Sequence, residues 1–373
     1  FVDAASGDIH LGPGSPCIDA GTNTAPELPP YDFEGDPRIL DGNGDTEPDA
    51  DMGADEVWGP LPPVIFVDLE APGTNSGTSW ADAFTALQHA LTWAQGGVEI
   101  WVAAGTYTPT WRFDAADPRS ATFQMANEVA IYGGFAGTET ELGQRDWVAN
   151  PTILSGDIGV KGDPADNAYH VFYHLGGLDS TAILDGFTIT GGNANGTAPH
   201  YRGGGMYNYA SSPTLTNCNF EDNSAGLDAG GMLNWVDSSP TLTNCTFKGN
   251  SSNQLGGGMY NIASTPALTN VVFVDNSARD GGGLRNHASS PKLTNCSFSG
   301  NSASYGGGMY NVLNSQPELT NVTFIGNTAA RWGGGMYNQS SSPTLTNVAF
   351  TENTAAESGG GIYNAYDLSL IHI

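Results

Sequence analysis

Positive charge is scarce in this chain. Eleven Lys and Arg stand against 39 Asp and Glu in 373 residues, a formal charge of −28. That balance repels phosphate backbones and anionic headgroups, so nucleic acid and acidic membranes are excluded as partners. It suits a secreted protein that stays soluble in salt or gathers divalent cations, and equally a solvated acidic surface with no specific role. No run is apolar enough to cross a bilayer, so no membrane insertion is expected of this stretch. Also missing are a Ser/His/Asp order, a Cys/His metal spacing and a phosphate-binding glycine loop. The glycine triplets are not framed by a strand before and a helix after, as a dinucleotide site requires.

What is plentiful is glycine, 51 residues of it, and asparagine at fixed intervals, which indicates turns. A Pro, a Phe seven residues on and an Asn three further recur six times, from Pro213, Phe220 and Asn223 to Pro343, Phe350 and Asn353, at a period of 25 to 27 residues. A period of that size marks a solenoid, one supersecondary unit stacked on the next. The consensus reads Ser-Ser-Pro-x-Leu-Thr-Asn-(Cys/Val)-x-Phe-x-x-Asn, then a short loop, then Gly-Gly-(Met/Leu/Ile)-x-Asn.

Leu215 and Phe220 differ by an odd number, so one unbroken strand cannot point both inward. A corner is required, and Asn217 with its equivalents Asn244, Asn270, Asn295, Asn321 and Asn347 supplies it, since Asn tolerates left-handed backbone. Each turn then holds three short strands, carrying Leu, then Cys/Val with Phe, then Met. The expected fold is all-β: a right-handed parallel β-helix solenoid with an N-terminal capping helix, in which Asn208, Asn234, Asn261, Asn286, Asn311, Asn338 and Asn364 form a structural ladder. Cys218, Cys245 and Cys296 share one slot with Val271, Val322 and Val348, which reads as small, buried and apolar. Buried free thiols and a Cys218–Cys245 bridge both fit, although a turn-to-turn spacing of roughly 4.8 Å is slightly long for a disulfide. Cys17 has no obvious partner.

Pairs such as Phe247-Lys-Gly-Asn250 with Gly256-Gly-Gly-Met-Tyr-Asn261 resemble the repeats of bacterial polymorphic outer-membrane proteins and of pectate-lyase-like right-handed parallel β-helix proteins, over about Gly203 to Asn364. That resemblance implies a fold more than an activity, because the superfamily includes lyases, hydrolases and adhesins. Residues 1–59 resemble the closing segment called choice-of-anchor Q, through Gly14-Ser-Pro-Cys-Ile-Asp-Ala-Gly21, Asp36-Pro-Arg38 and Asp51-Met-Gly-Ala-Asp-Glu56. They read as the end of an upstream β-helix of the same chain, joined by a Pro-rich linker at 60–64. Residues 65–190 read as a cap and irregular first coils, with a helix over Trp80 to Gln95 capped by Ser79 and strands including Thr122 to Gln124. The regular repeats fill 191–366. The chain reads as a fragment, and 367–373 as a non-native tail.

Three sets of residues carry candidate chemistry. Asp41, Asn43, Asp45, Asp49 and Asp51 place oxygen ligands at alternate positions, as the first half of an EF-hand or dockerin loop does, so calcium is the expected cofactor if any is bound. Thr46 and Met52 depart from that loop's Gly and Glu, and an acidic turn fits as well. After the inward Met, the stripe Tyr207, Leu233, Tyr260, Arg285, Tyr310, Tyr337 and Tyr363 is expected to face outward, with Tyr305 and Trp332 in the preceding loops. It reads as a platform for stacking sugars, or as a cross-strand ladder that only stabilises the sheet. For catalysis, the resemblance implies an Arg or Lys base beside acidic groups. Arg285 with Asp275 and Asp280 is the constellation that fits, and acids one or two turns apart reach the separation of an inverting glycosidase. Two functions remain open. One is a secreted or cell-surface bacterial scaffold or adhesin that binds polysaccharide or cell-surface glycan. The other is a carbohydrate-active enzyme, a polysaccharide lyase or glycoside hydrolase.

Overall fold

The computed structural model describes residues 63–366 and the short strand Ile371–His372. The segment 1–59, with the residues expected from sequence to bind calcium, most of the linker and the remainder of the tail lie outside the described residues. Val64, assigned to the linker from sequence, already opens the first strand, Val64–Val67, in register with Glu99–Val102.

Three corners per turn fold the chain into a coil whose strands pair with their counterparts one turn away. A leucine sheet of eleven strands runs from Val64–Val67 to Ile371–His372. A phenylalanine sheet has nine strands, and a methionine sheet eight. Their ladders are parallel and residue-matched: Leu215 faces Leu242, Phe220 faces Phe247 and Met206 faces Met232. The stack is the parallel β-helix expected from the repeat. Some turns add a fourth strand that the sequence did not announce, such as Ser302–Tyr305 and Thr328–Trp332.

The corner between the leucine and phenylalanine strands is left-handed, with φ of 51° at Asn217 and 51–55° at its five equivalents. Gly186, at φ 86°, occupies the same corner one turn earlier, so Leu184, Phe187 and Ile189 take the places of Leu215, Cys218 and Phe220. The regular geometry thus begins before the Pro-Phe-Asn repeat does. At the glycine triplets the backbones of successive turns nearly touch. A Cβ on Gly258 would sit 2.6 Å from the Gly283 carbonyl oxygen, which is why no side chain is tolerated there.

Inside the coil Leu215, Cys218, Phe220 and Met206 are fully buried. From Phe220 to Phe350 the rings stack at 4.7–5.0 Å between centroids and within 10° of parallel. Cys218, Cys245 and Cys296 are free thiols, and burial pushes the Cys296 thiol up to about 11. The expected ladder runs unbroken from Asn208 to Asn364, each side-chain amide donating to the next carbonyl oxygen at 2.8–3.0 Å. His174 extends it upward, its Nδ1 lying 2.9 Å from Asn208 Oδ1. A second internal ladder joins Asn223, Asn250, Asn276, Asn301, Asn327 and Asn353.

Two expectations near the start are corrected. The helix spans only Leu87–Trp93, because Phe84 bridges Val67 along the edge of the first strand, donating to the Phe66 carbonyl and accepting from the Asp68 N–H, and Ser79 bonds Asp82 in a local turn. Leu87 and Ala90 still bury against the first coil, so the short helix covers that end. Thr122 to Gln124 forms a single bridge, Phe123 to Phe172, in place of a strand. Among the described residues no helix is long and apolar enough to cross a membrane.

Candidate functional site

The methionine sheet alternates by the two-residue period of a strand: Met inward, the next residue outward, Asn inward. Register therefore assembles the outward row as expected, Tyr207, Leu233, Tyr260, Arg285, Tyr310, Tyr337 and Tyr363 in successive turns. It is not open to solvent. Tyr207, Tyr260, Tyr310 and Tyr337 are only 3–6% exposed, which corrects the expectation that these rings present free faces. A second column covers them. Arg202, Asp228, Leu255, Asp280, Tyr305, Trp332 and Ser358 pair turn to turn just before the glycines, and their side chains lie beside the tyrosine row.

At the far end of the row the aromatic residues cluster around partly exposed rings. Trp332 stacks on Tyr363 with centroids 5.4 Å apart and planes 15° from parallel, while Tyr305 lies 5.8 Å from Tyr337. Beside them is a cavity of about 420 Å³. Its lining combines the buried Tyr310 and Tyr337, the half-buried Tyr305 and Trp332, the exposed Tyr366, the Gln339 amide and the pair Arg279 and Asp280. Burial pushes the Tyr337 hydroxyl up to about 12, so it is a protonated donor at neutral pH.

The charges on this face are paired. Arg279 grips Asp280 with two hydrogen bonds, Nε to Oδ1 at 3.1 Å and Nη2 to Oδ2 at 3.0 Å. Arg331 Nε stands 3.3 Å from Glu357 and its Nη1 donates to the Tyr305 hydroxyl. Arg285 is buried between the rings of Tyr260 and Tyr310, 4.8 and 5.3 Å from their centroids, and Nη1 donates to the Tyr260 hydroxyl. Arg202 Nε meets Asp228 Oδ2 at 2.8 Å. Burial raises the Asp228 carboxyl to about 6, against the pull of Arg202, Arg285 and Arg279.

The constellation of Arg285, Asp275 and Asp280 does not assemble. Asp275 occupies an exposed left-handed corner, at φ 55°, after Val272–Val274. Asp280 is held by Arg279, and Arg285 is enclosed by tyrosines. Sequence reasoning missed Asp228, Gln339 and Tyr366. It also missed an upstream continuation in which Phe113, Tyr173, Tyr207 and Trp235 follow one another at 4.9–6.4 Å. The signal was available for part of this: aligning the repeats on Gly-Gly, instead of on Pro, brings Arg202, Asp228, Leu255, Asp280, Tyr305 and Trp332 into one column. Among the described residues no group of three or more His, Cys, Asp or Glu is placed to hold a metal ion.

A family model described as "Right handed beta helix region" matches residues 165–328 and 236–371, together more than half the chain. No curated protein matches in sequence. Among solved structures, the chain is similar to pectate lyase Pel9A at 15% identity and a TM-score of 0.42, over 82% of this chain and 80% of that one. It is similar to a pectin methylesterase from Aspergillus niger at 13% and 0.37, over 84% and 93%. A rhamnogalacturonan lyase shares 16% identity at a TM-score of 0.35, over 80% and 75%. With a solenoid period in the sequence, parallel residue-matched ladders in the structure and the family model over 165–371, the chain belongs to the right-handed β-helix family.

Proposed function

We propose that the chain is an extracellular or cell-surface β-helix scaffold that binds polysaccharide or cell-surface glycan in the cavity beside Trp332. One observation carries the reading: aromatic rings and a hydrogen-bonding charge pair converge on one concavity of about 420 Å³. Rings offer flat apolar faces to the C–H side of a sugar, and Arg279, Asp280 and Gln339 offer donors and acceptors to its hydroxyls. Tyr310 and Tyr337 line the cavity, Tyr363 backs Trp332, Tyr260 stands further up the row beyond Arg285, and Tyr305 and Trp332 make the contact. Calcium at Asp41, Asn43, Asp45, Asp49 and Asp51 is proposed from their spacing alone.

A polysaccharide panel, scored both for retention of the protein and for new reducing or unsaturated ends, tests the reading. Retention without new ends is expected. No retention on any polymer overturns it.

A second reading, a carbohydrate-active hydrolase, is favoured by one placement. Asp228 and Asp280 stand in the same column two turns apart, roughly 10 Å between backbones at strand spacing, near the upper separation of an inverting acid and base. New reducing ends that vanish in Asp280→Asn would establish it over the scaffold.

A further inference from the structure

We infer that the glycan taken by this cavity is an uncharged one, and that the site discriminates against polyuronates. The inference rests on the glycan reading above and narrows its ligand class. Chain-wide charge is −28, so an acidic polymer meets repulsion before it meets the site. Arg279, the cation in the cavity lining, already has a carboxylate partner, and the two arginines nearest the cavity on this face are engaged as well. Arg279 is engaged by Asp280 through both Nε and Nη2, Arg331 by Glu357 and Tyr305, and Arg285 by Tyr260 and the two flanking rings.

A uronate carboxylate has two options here, both unfavourable. It can displace Asp280 from Arg279, which strands a carboxylate on a residue only 7% exposed. Or it can lie beside the intact pair, whose opposite charges largely cancel, so that the cost of desolvating the uronate is not offset by a full ion pair. A sugar hydroxyl faces neither difficulty, because it donates to Asp280 and accepts from Arg279 without parting them. Gln339 completes the set. Its Oε1 accepts from the Tyr310 hydroxyl, which fixes the amide and leaves Nε2 as a donor toward the cavity. Trp332, Tyr305 and Tyr366 supply the apolar faces.

Affinity electrophoresis of the full chain tests this, in native gels containing xylan, glucomannan, polygalacturonate or alginate, at low and high salt. At least one neutral polymer should retard the protein, to the same degree at both salt levels, since no charge is being neutralised. Polygalacturonate and alginate should bind at least about tenfold more weakly. Asp280→Asn releases Arg279 and should strengthen polygalacturonate binding about tenfold, now in a salt-dependent way. Arg279→Gln should weaken neutral binding and give polygalacturonate nothing. Polyuronate bound by the wild type as tightly as any neutral polymer overturns the inference and leaves the glycan reading standing. Retardation by none of the four overturns both. The wild-type comparison decides the matter even where circular dichroism shows that a variant has not folded.

Discussion

Asparagine occupies two kinds of place in this coil, and replacing it should separate them sharply. Asn276 is buried, and its four hydrogen-bonding positions are all used. Nδ2 donates to the Phe247 carbonyl oxygen and to Asn301 Oδ1, both at 2.9 Å, while Oδ1 accepts from the Asn250 backbone N–H and from Asn250 Nδ2, both at 3.0 Å. Asn276→Ala leaves two donors and a carbonyl without partners in a dry interior. At about 1–3 kcal/mol for each unsatisfied group, with some relaxation, the loss should be about 3–5 kcal/mol. Asn276→Asp keeps the shape but removes both donors and aims an acceptor at two oxygens, so it should be no better than Ala. Asn270, by contrast, is an exposed corner at φ 55° whose amide donates to Asn244 at 3.0 Å. Asn270→Gly keeps the left-handed backbone and lets water replace the bond, so it should change stability by no more than about 0.5 kcal/mol. Urea denaturation followed by circular dichroism reads all three. A shift below about 1 kcal/mol for Asn276→Ala, or equal shifts at 276 and 270, would falsify the claim that the internal ladder holds the coil.

Phe298 is fully buried and stacked at 4.7 Å on both Phe273 and Phe324, so Phe298→Ala should cost about 3–5 kcal/mol in the same denaturation assay. Asp228 titrates near 6 folded and near 3.8 unfolded, so the folded state binds its proton more tightly. The stability this gives is fully present below about pH 4 and lost as pH rises to about 6. Relative to Asp228→Asn, the wild type should therefore lose on the order of 2–3 kcal/mol across that window, and a pH-independent difference would contradict it. Calorimetric titration of the full chain with calcium should give heat that Asp41→Ala with Asp45→Ala removes, and equal heats from both proteins would take that loop out of consideration.

Much of the fold was legible because a solenoid writes its structure into a period. The odd spacing of Leu215 and Phe220 demanded a corner, and Asn217 supplied it. The face on which Tyr310 lies followed from the same alternation. Its burial did not, because strand parity says which side a residue takes and nothing about what covers that side. The cover comes from loops of varying length, so Asp228, Asp280 and Trp332 fall out of step when the repeats are aligned on proline. The amphipathic pattern over Trp80 to Gln95 misled for a different reason. Phe84 bridges Val67 on the open edge of the first strand, which commits its N–H and carbonyl to Phe66 and Asp68 and takes them out of a helical turn. Gln339 and Tyr366 had no sequence signal, since each sits where other turns carry unrelated residues.

The glycan claim stands or falls on Trp332. Using whichever neutral polymer retards the protein, calorimetric titration should be run on the wild type, Trp332→Ala and Trp147→Ala. Trp147 is 39% exposed and packs beside Arg145, outside the cavity lining, so its loss controls for the removal of a surface tryptophan. Trp332→Ala should bind about tenfold more weakly, the equivalent of one lost stacking contact, with Trp147→Ala unchanged. Equal affinity for wild type and Trp332→Ala would contradict the account, because the cavity would then have no part in holding the glycan.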